Sequence, residues 1–103
     1  MTVDAIVETI IYLYTESRRL TKELAREFGL TGPQLTVIVM LEQLGDLSLS
    51  SLSGRIKAKN STVTGIIDRM EREDLVVRSR SVADRRIVLI KLTDKGRQLA
   101  GRI

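Results

Sequence analysis

Up to residue 73 the apolar side chains recur every three or four positions; from Leu75 onward they gather in β-branched runs. This switch of period constrains the fold most, because an array of helices must then end in a small antiparallel hairpin. In the first stretch Ile6, Ile10, Leu13, Ser17, Leu20 and Leu24 form one stripe, widened by Val7, Ile11 and Tyr14, which predicts a helix from Val3 to Phe28 stopped by Gly29. A second helix is expected from Thr31 to Leu44, with Pro33 in its first turn and Leu35, Ile38, Val39 and Glu42 marking its faces. Ser48 can cap a short helix bearing Leu49, Leu52 and Ile56, although Gly54 inside it costs about 1 kcal/mol against alanine.

Asn60 is the expected N-cap of the next helix, over 61–73. Its core face is Val63, Ile66, Ile67 and Met70, and its other face shows Ser61, Thr62, Thr64, Gly65, Asp68, Arg69 and Arg72. Two short helices joined by a tight turn, the second polar on one side, describe a helix-turn-helix. Strands are expected at 75–78 and 87–92, around a basic tip from Ser79 to Arg86, and Thr93 or Asp94 can cap a last helix reaching Ile103. The fold class is therefore mainly α with a small β-hairpin (α+β): a winged helix-turn-helix behind a long N-terminal helix. Residues 1–30 read as that helix, 31–95 as the lobe and 94–103 as the start of a C-terminal helix, all in a single domain.

Residue types exclude much chemistry. The 103 residues contain no cysteine and no histidine, which removes disulfides, thiolate catalysis and the commonest general base and metal ligand. No Gly-rich phosphate loop is present and the carboxylates are scattered, so neither an enzyme nor a cofactor is expected. No apolar run nears the roughly 20 residues of a membrane span, and Asp4 and Glu8 interrupt the N-terminal apolar stretch where a signal peptide would not allow it. The expectation is a cytoplasmic protein without membrane contact.

Charge is divided unevenly. Residues 1–53 hold four basic and seven acidic groups, net −3; residues 54–103 hold thirteen and six, net +7, together giving the overall +4. A positive field confined to the half with the helix-turn-helix suggests a polyanionic partner.

Several segments resemble one family. Leu30-Thr31-Gly32-Pro33-Gln34 looks like the opening of the second helix in MarR-type regulators. Ser61-Thr62-Val63-Thr64-Gly65-Ile66-Ile67-Asp68-Arg69-Met70-Glu71 is similar to their recognition helix. Leu75-Val76-Val77-Arg78, Asp84-Arg85-Arg86 and Leu92-Thr93-Asp94-Lys95-Gly96 follow in the family's order and spacing. Asp74 departs from the pattern: it stands where the family usually has glycine, so the helix exit is expected without a positive-φ glycine. The family also normally continues through long C-terminal helices that complete its dimer interface.

The resemblance implies a homodimeric regulator of transcription that binds a palindromic double-stranded DNA operator, a repressor relieved by a small aromatic effector. The absence of cysteine excludes the oxidation-sensing branch. On the recognition helix, Ser61, Thr62, Thr64 and Gly65 are small enough for close approach to a major groove, with Arg69 and Arg72 as longer donors. Lys57 and Lys59, with Arg55, suit phosphate positioning. The wing carries Arg78, Arg80, Arg85 and Arg86 within nine residues, and arginines at its tip, Arg80, Arg85 and Arg86, suit a minor groove. Arg86 could pair with Asp84 across the turn or with Asp68; the resemblance implies the wing–helix salt bridge Asp68–Arg86, leaving Arg85 or Arg80 to reach DNA. Ile6, Ile10 and Leu13 are the expected dimerisation residues. The competing reading is a winged helix used as a protein-interaction module, whose recognition face would be acidic or apolar instead of lined with Ser, Thr and Arg.

Overall fold

The structure, a computed structural model, describes residues 2–103. Its elements in chain order are α1 (Val3–Glu27), α2 (Gly32–Leu44), β1 (Leu47–Ser48), α3 (Leu49–Ile56), α4 (Asn60–Arg72), β2 (Val76–Arg80), β3 (Val88–Leu92) and α5 (Asp94–Arg102). Two units of dense internal packing divide the chain after Leu35, within α2.

In the first unit, α1 starts at Thr2, whose hydroxyl accepts the Ala5 N–H at 3.2 Å. It ends where Gly29 (φ 69°) lets the Leu30 N–H return to the Ala25 carbonyl at 2.9 Å. Arg19 bridges Glu16 and Glu23 on its polar side. Ala25 is its one buried residue, while Ile6, Ile10 and Leu13 are 43, 59 and 59% exposed. The start of α2 is a reciprocal cap: the Thr31 N–H donates to Gln34 Oε1 at 3.1 Å and the Gln34 N–H to Thr31 Oγ1 at 3.3 Å.

The second unit, Thr36–Ile103, is organised around a three-stranded antiparallel sheet in the order β1-β3-β2. Ile90, opposite both Leu47 and Arg78, is fully buried at its centre. Helix α3 packs on α4, α4 on β2 and α5 on β3. Val37, Ile38, Leu52, Val63, Ile67, Met70 and Val76 complete an aliphatic core. This is the expected winged helix, with three refinements. Ile66 is half-buried and Glu42 exposed. Helix α4 begins at Asn60 instead of being capped by it: after the tight turn the Lys59 carbonyl already takes the Val63 N–H at 3.1 Å, and no side chain caps the end. Strand β1 was not expected, because two residues carry no readable period.

The exit from α4 is tightly built. Asp74 itself adopts the left-handed conformation (φ 60°), so that the Asp74 N–H reaches the Glu71 carbonyl and the Leu75 N–H that of Met70. Aspartate tolerates this region better than most side chains. Thr93 joins the exit to α5: its hydroxyl donates to the Asp74 carbonyl at 2.6 Å and accepts the Gly96 N–H at 3.0 Å as the α5 cap. Among the described residues no helix is long and apolar enough to cross a membrane.

Candidate nucleic-acid interface

Helix α4 separates its faces cleanly. Val63, Ile67 and Met70 have no exposed surface, while Ser61, Thr62, Gly65, Arg69 and Arg72 are exposed. Thr62 and Arg69, seven residues apart, share a side of the helix. Thr64 is half-buried and lies with Asp68 and Glu71 on the flank toward the wing. Sequence reasoning placed Ser61, Thr62, Thr64, Gly65, Asp68, Arg69 and Arg72 on one face; the structure puts Thr64 at its edge.

The wing–helix salt bridge differs from the expectation. Asp68 pairs with Arg78, not with Arg86: Arg78 Nη2 donates to Asp68 Oδ1 at 2.7 Å and Arg78 Nη1 to Glu71 Oε1 at 2.6 Å. The reason is strand parity. Arg78 lies two residues after buried Val76, so both side chains leave β2 on the face that packs on α4. Arg86 lies outside both strands, two residues from Asp84, and its Nε and Nη2 hold that carboxylate at 3.1 and 3.0 Å. Partial burial acts to lower the Arg78 pKa, but the two carboxylates more than offset it and hold it above its ordinary value. The single guanidinium of Arg78 thereby offsets one of the two negative charges on this flank of α4.

The hairpin tip is folded by its own polar groups. The Ser81 N–H bonds to the Ile87 carbonyl at 2.9 Å and the Ile87 N–H to the Asp84 carbonyl at 3.0 Å. Ser81 Oγ accepts the Asp84 N–H at 3.3 Å, and Asp84 Oδ1 the Arg86 N–H at 3.0 Å. Hydrogen bonds from the Arg86 side chain, then from its backbone, hold the Asp84 carboxyl below its ordinary pKa. Its contribution to wing order is therefore present above the unfolded aspartate value and lost only as pH falls through the lower folded one. Arg80 Nη1 donates to the Arg85 carbonyl at 2.7 Å.

These contacts sort the expected cations. Arg78, Arg80 and Arg86 are engaged within the protein. Arg55, Lys57, Lys59, Arg69, Arg72 and Arg85 are exposed, and their side chains make no hydrogen bond or ion pair among the described residues. Lys57 is unusual besides, since it closes α3 in the left-handed conformation (φ 61°, ψ 44°) that glycine ordinarily fills. Sequence reasoning missed the pairing role of Arg78 and Glu71, although the alternation along β2 carried the signal.

Comparison with known proteins agrees with this geometry. The MarR family model matches residues 30–88. The uncharacterised HTH-type transcriptional regulator YsmB of Bacillus subtilis (strain 168) is 37% identical over 78 residues, 76% of this chain and 53% of that protein. The HTH-type transcriptional repressor MdtR of the same organism is 38% identical over 68 residues, 66% of this chain and 44% of that protein. The chain thus spans about half the length of the curated relatives it matches. Among solved structures, the transcriptional regulator BldR of Sulfolobus solfataricus superposes with a TM-score of 0.81 at 26% identity, covering 99% of this chain and 76% of that one. With its helix-turn-helix, wing and family match over more than half its length, this chain belongs to the MarR family.

Proposed function

We propose that the protein is a sequence-specific double-stranded DNA-binding regulator of transcription, in which α4 enters the major groove and the wing the minor groove. The observation that carries this reading is that one unit of the chain holds both an exposed small-residue helix face, Ser61, Thr62 and Gly65, and exposed cations whose side chains have no protein partner, Lys57, Lys59, Arg69, Arg72 and Arg85. Lys57 and Lys59 contact phosphates, Thr62 and Arg69 read bases, and Arg85 is the wing arginine that reaches DNA. Arg80 and Arg86 shape the tip, and Thr64 contributes at the edge of the face. Two copies pair through Ile6, Ile10 and Leu13 of α1 and address a palindromic operator in the cytoplasm. The relative MdtR is named a repressor, which supports repression here; a small aromatic effector that relieves it belongs to the same proposal. No enzymatic step or cofactor belongs to this reading.

Fluorescence anisotropy with duplex DNA across a range of salt concentrations is the test. Affinity should fall steeply with salt, since cations that neutralise phosphates release counterions; a flat response would sink the proposal. On an operator selected from random fragments, Thr62→Ala or Arg69→Ala should reduce the preference for specific over random DNA by about 1–3 kcal/mol. Lys59→Ala should weaken all sequences alike.

Lys57→Gly separates stability from binding. Removing the side chain from its left-handed position should stabilise the fold by about 1 kcal/mol, read by thermal unfolding. The same variant should bind DNA more weakly and lose about one unit of salt slope. Unchanged binding would show Lys57 to be a structural cap alone.

A further inference from the structure

The apex of the wing is apolar. Between Ser81 and Asp84, whose polar groups bind each other and fold the loop, stand Val82 and Ala83, both exposed. Val82 is 102% exposed, more than in an extended reference chain, so the loop holds its methyl groups clear of every other part of the protein. An isolated exposed valine on a smooth surface needs no explanation. This one crowns a hairpin ordered by its own hydrogen bonds and is flanked by Arg80, Arg85 and Arg86. A rigid, β-branched side chain with few rotamers to lose, set among guanidinium groups, suits contact with a polyanion that also has an apolar recess.

We propose that Val82 is a specificity-determining residue: inserted with Arg85 into the DNA minor groove, it selects A·T pairs by excluding the exocyclic amino group of guanine. This rests on the DNA-binding reading above. The minor groove is only about 6 Å wide, and its floor distinguishes pairs chiefly by that amino group. Over A·T pairs the floor offers adenine N3 and thymine O2 acceptors, which the Arg85 donors can satisfy, and the adenine C2–H, which a methyl group can meet. Over G·C pairs the guanine N2 amino group projects into the groove, where a valine offers no acceptor. Covering it leaves a donor stripped of water and unpaired, besides the steric conflict. Arg85 alone would also favour a narrow, A·T-rich groove through its charge. Val82 adds the discrimination that depends on the amino group itself.

Alternating inosine–cytosine and guanine–cytosine copolymers test this without knowledge of the operator. They present the same hydrogen-bonding pattern in the major groove and differ by the guanine amino group in the minor groove. The full chain is measured by competition of each copolymer against a labelled mixed-sequence duplex. The wild-type protein should prefer the inosine copolymer by about tenfold, within the usual range for one unfavourable pair. Val82→Ser should bring the ratio to about twofold or less while leaving the salt slope unchanged, and Val82→Ile should keep it. Because Val82 touches nothing in the protein, both variants should fold as the wild type does. A wild-type ratio near one would overturn the proposal. So would a ratio equally large in Val82→Ser, which would assign the preference to groove width and Arg85. Failure of the wild type to bind any of the duplexes would instead overturn the DNA-binding reading on which the proposal stands.

Discussion

Replacing Gly96 by alanine should destabilise the winged lobe by about 3 kcal/mol and lower its Tm by more than about 10 °C. Gly96 is buried in the first turn of α5, and a methyl group there would fall inside the van der Waals envelope of the Leu75 carbonyl oxygen. It would also stand 3.2 Å from both the Leu75 carbonyl carbon and Leu92 Cδ2. That carbonyl cannot swing aside freely, because it accepts the Thr93 N–H at 3.1 Å. Nor can the start of α5 recede without stretching the bonds of the Thr93 hydroxyl to the Gly96 N–H and the Asp74 carbonyl. Overpacking against backbone costs about 1–3 kcal/mol, and loss of a linked hydrogen bond about one more. Gly101→Ala is the matched control: it lies in the same helix with nothing within 4 Å, and should be neutral or slightly stabilising. Equal Tm values for the two variants, by calorimetry or circular dichroism, would refute the packing argument.

That glycine was visible in the sequence as part of Leu92-Thr93-Asp94-Lys95-Gly96, but the need for it was not. The sequence announces features made within a few residues of each other. Ser48 is legible as a cap, and Thr93 as one of two candidates beside Asp94, because a capping side chain bonds a backbone N–H three positions on. The division of α4 into faces followed from helical spacing alone. Features made by residues distant in sequence stayed hidden. The close approach of Gly96 to Leu75 joins two elements across β2, the hairpin tip and β3. β1 exists only because β3 is there to pair with it.

The salt bridge shows the boundary between the two. Charge alone left Asp68 without a defined partner, and the family pattern pointed to Arg86. Strand parity, a local rule, would have chosen Arg78, which shares the inward face with Val76. Asp74 follows the same logic in reverse. The residue type implies an exit without a positive-φ glycine, and so it is; yet the Leu75 N–H must reach the Met70 carbonyl, and Asp74 itself takes up the positive φ that this geometry imposes. The candidate cations were all nameable beforehand; which of them are free depended on the folded tip.

Ile10→Glu should dissociate the proposed dimer and abolish binding to a palindromic site while leaving the winged lobe folded. The argument begins with α1, where Val3, Ile6, Val7, Ile10, Ile11, Leu13, Tyr14 and Leu20 are all exposed. Covering such side chains is worth about 1.5–3 kcal/mol for each large aliphatic group fully buried. In a two-fold interface each substitution acts twice, because the same patch is used by both copies. Losing two buried isoleucines therefore costs about 3–6 kcal/mol, or roughly 150- to 20,000-fold in dimer affinity, before the cost of burying carboxylates is added. The core of the lobe is assembled from residues within 36–103, so its circular dichroism and its weak, salt-sensitive binding to single half-sites should survive. Recognition helices held by a dimer address half-sites about 34–36 Å apart, and separated lobes lose that linkage. Sedimentation at micromolar concentration, paired with footprinting on the selected operator, reads both effects. An Ile10→Glu monomer that still protected both half-sites at wild-type affinity would rule out pairing through α1 as the basis of operator recognition.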